Sequence, residues 1–297
     1  MTRPIPFVLL KWSREKKAGG GKLFSSDRVN AIHDMLTRTQ LRPFRLICVT
    51  DDPRDLHPDI EALPLPDRGS EITQAVGHFF KLYLFSKEFR DLVKEKFIYC
   101  DLDVAITGDF ADIYDRPANL TILAGRLEHV LAPIEALNGG PLPLSIEFGL
   151  LTKVLLKLSL GHAVGYVRDG GKRWCRYNSS FMVIAPDQPD DPWSGLSVQS
   201  ARQEVRAAGL LGTDQAWLHL HKRGEIITVG KREGFWRESD VDRHYASVGA
   251  LPEGLRFIEF GYEAKPWSAT IKEKSWVQDV YPLGLGDGRL QHDADGR

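Results

Sequence analysis

At 297 residues and 42% hydrophobic content, the chain is long enough to bury a substantial core as one large domain or two small ones. Its 39 basic and 40 acidic side chains leave a formal net charge of -1, so it has no overall charge with which to attract nucleic acid or an anionic membrane, and any recognition must be local. The three cysteines, Cys48, Cys100 and Cys175, are widely spaced, and the first two lie in apolar runs, the usage expected in a reducing compartment.

The N-terminal stretch MTRPIPFVLLKWSREKK has an apolar run of only about five residues, too short for a signal-peptide core or a membrane span, which predicts a cytoplasmic protein with no transmembrane segment. Pro6 to Trp12 reads as a buried first strand, followed by the basic, glycine-rich SREKKAGGGK. A triphosphate-binding loop would need a glycine where Lys16 stands and Ser or Thr where Leu23 stands, so the stretch is read as a flexible surface loop, with a basic lid over a diphosphate as the alternative. Val29, Ile32, Met35 and Leu36 then recur at helical spacing, with Ser26 placed to cap.

FRLICVTDDP reads as a second buried strand ending in Asp51 and Asp52, and the proline-dense stretch from Leu63 to Gly69 as a loop. Phe79 to Phe89 is aromatic and helical in pattern, with Lys81 inside it. FIYCDLDVAITGDF, Phe97 to Phe110, is a further strand interrupted by Asp101-Leu102-Asp103. This alternation predicts an α/β protein with a Rossmann-like, mostly parallel central sheet flanked by helices. Such sheets bind ligands at the carboxyl ends of their strands, where both acidic pairs fall.

Residues 117–176 are read as an inserted helical segment. Its apolar part, SIEFGLLTKVLLKLSLGHAVGYV, is broken too often by Glu147, Lys153 and Lys157 to span a membrane. A core-packing helix is favoured there, with an acceptor-binding element or peripheral membrane contact as alternatives. YNSSFMVIAP (strand), GTDQAWLHLH (helix start) and RFIEFGYEAKPW (strand and loop) follow. The expected organisation is one domain over 1–283 and a disordered tail over 284–297.

Two aspartates at i and i+2 on an extended strand point to opposite faces, but where the strand breaks into a turn they can converge on one point. Convergent carboxylates suit Mg²⁺ or Mn²⁺, which completes its shell with water and phosphate. The alternative is that Asp101 and Asp103 simply cap the following turn.

FIYCDLDVAITGDF resembles the Asp-x-Asp strand end of GT-A nucleotide-sugar glycosyltransferases, in particular the glycogenin-like family 8 and related bacterial enzymes. LLKWS, VN, PFRLICVTDDP, FFKLYLFS, YNSSFMVI, TDQAWL and KPW match in the order that group has them, over roughly residues 7 to 267. The resemblance implies a GT-A fold and a metal-dependent enzyme. It would move a hexose from a nucleotide diphosphate sugar, a UDP-sugar by preference, to a glycan, lipid or protein acceptor, with retention of configuration.

It further implies that Asp101 and Asp103 hold the metal, Asp101 also meeting the donor. Lys11, Asp51, Lys81, Asn178, Ser179 and Lys265 become donor-binding positions, and Asp214 and Gln215 the pair beside the anomeric carbon. Family 8 enzymes usually place a histidine before the late glycine to complete the metal site. RFIEFGYEAKPW has none, and Glu259 is the nearby side chain able to substitute. His219, His221 and His244 are read as non-ligands. A nucleotidyltransferase and a non-catalytic nucleotide-sugar-binding protein are the rival readings.

Overall fold

The computed structural model describes residues 3–13, 25–125, 127–128, 175–187, 191–222, 226–261 and 264–282. The basic loop after Ser13, the apolar segment at 146–160 and the tail lie outside these residues.

Among the described residues seven strands form the main sheet: β1 (Ile5–Lys11), β2 (Phe44–Thr50), β3 (Ile60–Pro64), β4 (Phe97–Cys100), β6 (Leu120–Ala124), β7 (Tyr177–Ile184) and β8 (Ile226–Val229), in the order β3-β2-β1-β4-β7-β6-β8. β7 is antiparallel to both its neighbours, and every other pairing is parallel. A smaller sheet joins β5 (Val104–Ile106), β10 (Phe257–Glu259) and β9 (Phe235–Arg237). The architecture is the predicted mostly parallel α/β sheet flanked by helices.

Strand β1 shows why its sequence lacks polar alternation, for all seven of its residues are buried. Ile5, Phe7 and Leu9 enter one core, with helix α1 (Ser26–Thr39) and the small sheet, while Val8 and Leu10 enter a second core on the opposite face. Each such side chain contributes about 1.5–3 kcal/mol by leaving water.

Several local expectations change. The α1 cap position is Ser25, and Ser26 is instead the first helical residue, its hydroxyl donating to the Arg54 carbonyl at 2.5 Å. The proline-dense loop begins inside β3, an edge strand, where a proline costs no ladder bond on the open side.

The aromatic helix is a 3₁₀ segment over Gly77–Phe85 that follows α2 (Gly69–Val76) and precedes α3 (Lys87–Val93). Its three-residue repeat stacks the fully buried Phe79, Leu82 and Phe85 along one ridge, and packing outweighs the poorer hydrogen-bond geometry. Strand β6 lies inside the span expected to be an insertion. LTILA is a five-residue apolar run that pairs with both β7 and β8, so that span begins with sheet.

Candidate active site

Asp101, Leu102 and Asp103 bridge the two sheets, since β4 ends at Cys100 and β5 begins at Val104. The Asp101 amide donates to the Ser180 carbonyl at 3.0 Å, and the chain then leaves the main sheet. The Asp101 carboxylate accepts from Tyr99 Oη at 2.5 Å and from Lys81 Nζ at 2.8 Å. Lys81 is 8% exposed and reaches the carboxylate from the 3₁₀ segment. It also donates to Ser179 Oγ at 3.2 Å, and that hydroxyl donates to Asp214 Oδ2 at 2.6 Å. Burial opposes the charge on Lys81, but Asp101 and Asp214 outweigh it and raise its pKa, so the ammonium persists.

Asp103 takes a different partner, an ion pair with Lys265. Burial, followed by the charge of Asp101, raises the Asp103 pKa above the usual carboxylate range against the opposing pull of Lys265. Each aspartate of the break therefore has its own lysine, one from the front of the chain and one from the back.

The neighbouring strand supplies the polar wall. Between Ile122 and Leu123 the partner on β7 jumps from Met182 to Asn178, a bulge that frees Ser179, Ser180 and Phe181 from β6. Asn178 Nδ2 donates to Glu259 Oε1 at 2.5 Å, and Gln215 Nε2 donates to Asn178 Oδ1 at 3.3 Å. Glu259 Oε2 is buried without a hydrogen bond, its nearest cation being Arg237 Nε at 3.6 Å. Burial raises the Glu259 pKa; Arg237 opposes this, while Asp101 and Asp103 add to it.

A cleft of about 350 Å³ opens here, lined by Tyr177, Asn178, Gln215, Arg237, Glu259 and Gly261 among others. Gly125 also lines it, where a Cβ would sit 2.2 Å from the Cys175 carbonyl, so only glycine lets β6 pass this close.

The structure thus gathers Asp101, Asp103, Lys81, Asn178, Ser179, Gln215, Glu259 and Lys265. Asp214, in the first turn of α6 (Asp214–His221), belongs to the buried network at 2% exposure, and it is Gln215 that lines the cleft. Lys11 is buried, with its ammonium donating to Thr50 Oγ1 at 3.3 Å and to the Asp52 carbonyl. It ties the ends of β1 and β2 together. Asp51 accepts from the Ser13 amide at 2.9 and 3.0 Å.

His219 Nδ1 accepts from the Arg176 amide at 3.2 Å, His221 stacks on Trp217, and His244 packs against Trp236. The sequence reading missed Arg237, the last residue of β9 and the cap position of the helix α7 (Glu238–Val248). Its signal is the strand-to-helix junction in GFWRES, but which way that junction faces depends on the small sheet.

Asp101, Asp103 and Glu259 are of the residue type that holds a hard divalent cation. The charges of Asp101 and Asp103 reach Glu259 and raise its pKa, and Glu259 Oε2 has no hydrogen bond, but among the described residues the ligand atoms of these three carboxylates do not all come within 4.8 Å of one another, each aspartate being turned to its own lysine.

No protein-family model matches the sequence, and no curated protein matches it. Among solved structures the chain is similar to the galactosyltransferase LgtC in complex with donor and acceptor sugar analogues, with 11% identity, a TM-score of 0.50, and coverage of 93% of this chain and 96% of that one. An active-site variant of LgtC aligns at 10% identity with a TM-score of 0.53, covering 93% of both chains. At these identities the likeness is one of fold, and the fold is that of the GT-A glycosyltransferases. Among the described residues no helix is long and apolar enough to cross a membrane.

Proposed function

We propose that the chain is a glycogenin-like, family 8 type hexosyltransferase that moves a sugar from a UDP-sugar to a glycan, lipid or protein acceptor. The observation that carries the reading is the Asp101–Asp103 break at the carboxyl end of β4, beside a polar cleft on a GT-A fold. Asp101, Asp103 and Glu259 would hold Mn²⁺ or Mg²⁺, a Lewis acid that neutralises charge on a departing diphosphate.

Lys265 supplies a second positive charge at the same place, and Lys81 keeps Asp101 oriented through a buried, charge-assisted hydrogen bond. Asn178 presents an amide anchored by Glu259 and Gln215 to the sugar hydroxyls. Gln215 offers its side-chain oxygen to the electron-poor sugar carbon, and Asp214 positions Lys81 through Ser179. Retention of configuration follows from the family 8 likeness, and LgtC, whose fold is shared, has an active-site glutamine that has been changed to glutamate.

A second reading has its own support: both aspartates already carry a lysine. In that reading Lys81 and Lys265 neutralise the diphosphate with no metal. The test is product analysis with a panel of UDP-sugars, with and without Mn²⁺ and with chelator. Release of UDP that requires Mn²⁺ supports the metal-dependent enzyme, and release that survives chelation supports the lysine-only reading. Pyrophosphate release points to a nucleotidyltransferase, and binding without turnover to a non-catalytic sugar-nucleotide protein.

A further inference from the structure

A second cluster of metal-ligand side chains lies at the other end of the sheet. His33 is on α1, and His57 and Asp59 are in the turn that leads into β3. One ligand atom from each of the three lies within 4.8 Å of the others. Because Ile60 is level with Leu46, Phe7 and Ile98 across four strands, this cluster sits at the amino ends of the parallel strands. From strand rise and spacing it is on the order of 20 Å from Asp101.

The cluster is held from several sides. The His57 amide donates to Asn30 Oδ1 at 2.8 Å, and Asn30 Nδ2 donates to the Asp55 carbonyl at 2.9 Å, which pins the turn to α1. The two imidazoles stack with centroids 4.3 Å apart and planes 23° apart, and Phe44 packs edge-on against His33. Asp59 Oδ2 is 3.8 Å from His57 Nδ1, and Asp34 Oδ1 is 3.9 Å from His33 Nδ1.

An ordinary aromatic stack accounts for the ring contact. It leaves unexplained why His33, only 9% exposed, has a buried Nδ1 without a hydrogen bond. A buried polar atom without a partner destabilises the fold, a deficit that a bound cation would remove. Burial and the neighbouring His57 also hold the His33 pKa below its usual value, which keeps the ring in the neutral form that ligates metals.

We propose that His33, His57 and Asp59 form a binding site for a zinc-type divalent cation, separate from the candidate active site, that clamps α1 to the turn before β3. Two imidazoles and one carboxylate are the ligand set of Zn²⁺ and its transition-metal neighbours, whereas Mg²⁺ and Ca²⁺ prefer oxygen alone. Water or the nearby Asp34 carboxylate completes a tetrahedral shell.

The test is a Zn²⁺ titration of the metal-stripped full chain against a chromogenic chelator, with melting temperature followed in parallel and three proteins compared. His57→Phe keeps a ring stacked on His33 and removes the ligand, while Asp103→Asn alters the candidate active site alone. The expected result is one site in the native chain with a rise in melting temperature on adding Zn²⁺. The site should be retained in Asp103→Asn, and in His57→Phe its affinity should fall by about tenfold or more. Absence of a site, equal binding by His57→Phe, or loss of binding in Asp103→Asn overturns the proposal.

Discussion

Lys265 and Asp103, 162 positions apart in the chain, meet in an ion pair at the strand break between the two sheets. A cation that enters this site must displace the ammonium from Asp103, and an arriving diphosphate gives the ammonium a new partner. Metal and donor should therefore bind together. Calorimetric titration with Mn²⁺ should find almost no affinity in the protein alone and clear affinity once UDP is present. Lys265→Met should strengthen donor-free Mn²⁺ binding by about tenfold, equivalent to about 1.4 kcal/mol, while weakening UDP binding. An unchanged Mn²⁺ affinity in that variant would mean the pair does not gate the site.

Asp103→Asn should fold and, without metal or donor at pH 7, melt no lower than the native chain. Burial and then Asp101 raise the Asp103 pKa in the folded state, so its ionised form opposes folding. The contribution of this group to stability is therefore full below the unfolded carboxylate value near about 3.9 and is lost as pH rises through the raised folded value. The melting difference between the two proteins should narrow on acidification, and a variant that melts well below native at pH 7 would restore the turn-capping role.

Gln215 and Asp214 should separate in kinetics. Gln215 lines the cleft, so Gln215→Ala should lower kcat by about 10²-fold with little change in donor affinity, as expected of a group acting in the transition state. Asp214→Asn weakens the buried Lys81–Ser179–Asp214 chain and should cost about 1–3 kcal/mol of stability, read by denaturant melting. The reverse pattern would exchange their roles.

Asp242 ties α7 to α9 (Ser275–Val280) and to Lys274, which lies between α8 (Ala269–Lys272) and α9. It accepts from Trp276 Nε1 at 3.0 Å and from Lys274 Nζ at 2.6 Å. Burial pushes its pKa up, but these two hydrogen bonds prevail and hold it below the ordinary value. Its stabilisation is present above the unfolded pKa and lost as pH falls through the folded one. Since Asp242 is half-exposed, Asp242→Asn should cost only about 1 kcal/mol at pH 7, and the loss should shrink as pH falls below the unfolded carboxylate value of about 3.9. A cost that does not shrink on acidification would point to packing and not charge.

Cys48 and Cys175 have thiol pKa values pushed up to about 12, chiefly by burial, and Cys100 is raised further by burial and the nearby aspartates. At pH 8 all three should react with a disulfide reagent at less than about a tenth of the rate of a free thiol, and rapidly in denaturant. Fast native labelling of Cys175, which lines the cleft, would show that the cleft wall opens.

Local sequence patterns were enough to predict the parallel α/β character, the strand ends and the Asp101–Asp103 break, because each is written within a single strand. Unbroken apolar runs mark strands buried on both faces, as in β1, and an acidic pair at the end of such a run marks a strand leaving the sheet. The residue set around the break was also legible through the family resemblance, down to Asn178, Gln215 and Lys265.

The remaining features depend on groups far apart in the chain and emerge only from the fold. Which lysine meets which aspartate, that Lys11 is spent on Thr50 and Asp52, and that Gln215 and not Asp214 faces the cleft follow from how two sheets and a bulged β7 pack. The pattern of GFWRES gives no direction for Arg237, and the spacing of His33, His57 and Asp59 gives no hint that they meet. Local periodicity carries information over one turn or one strand, whereas these contacts form only when packing brings distant strand ends and helices together.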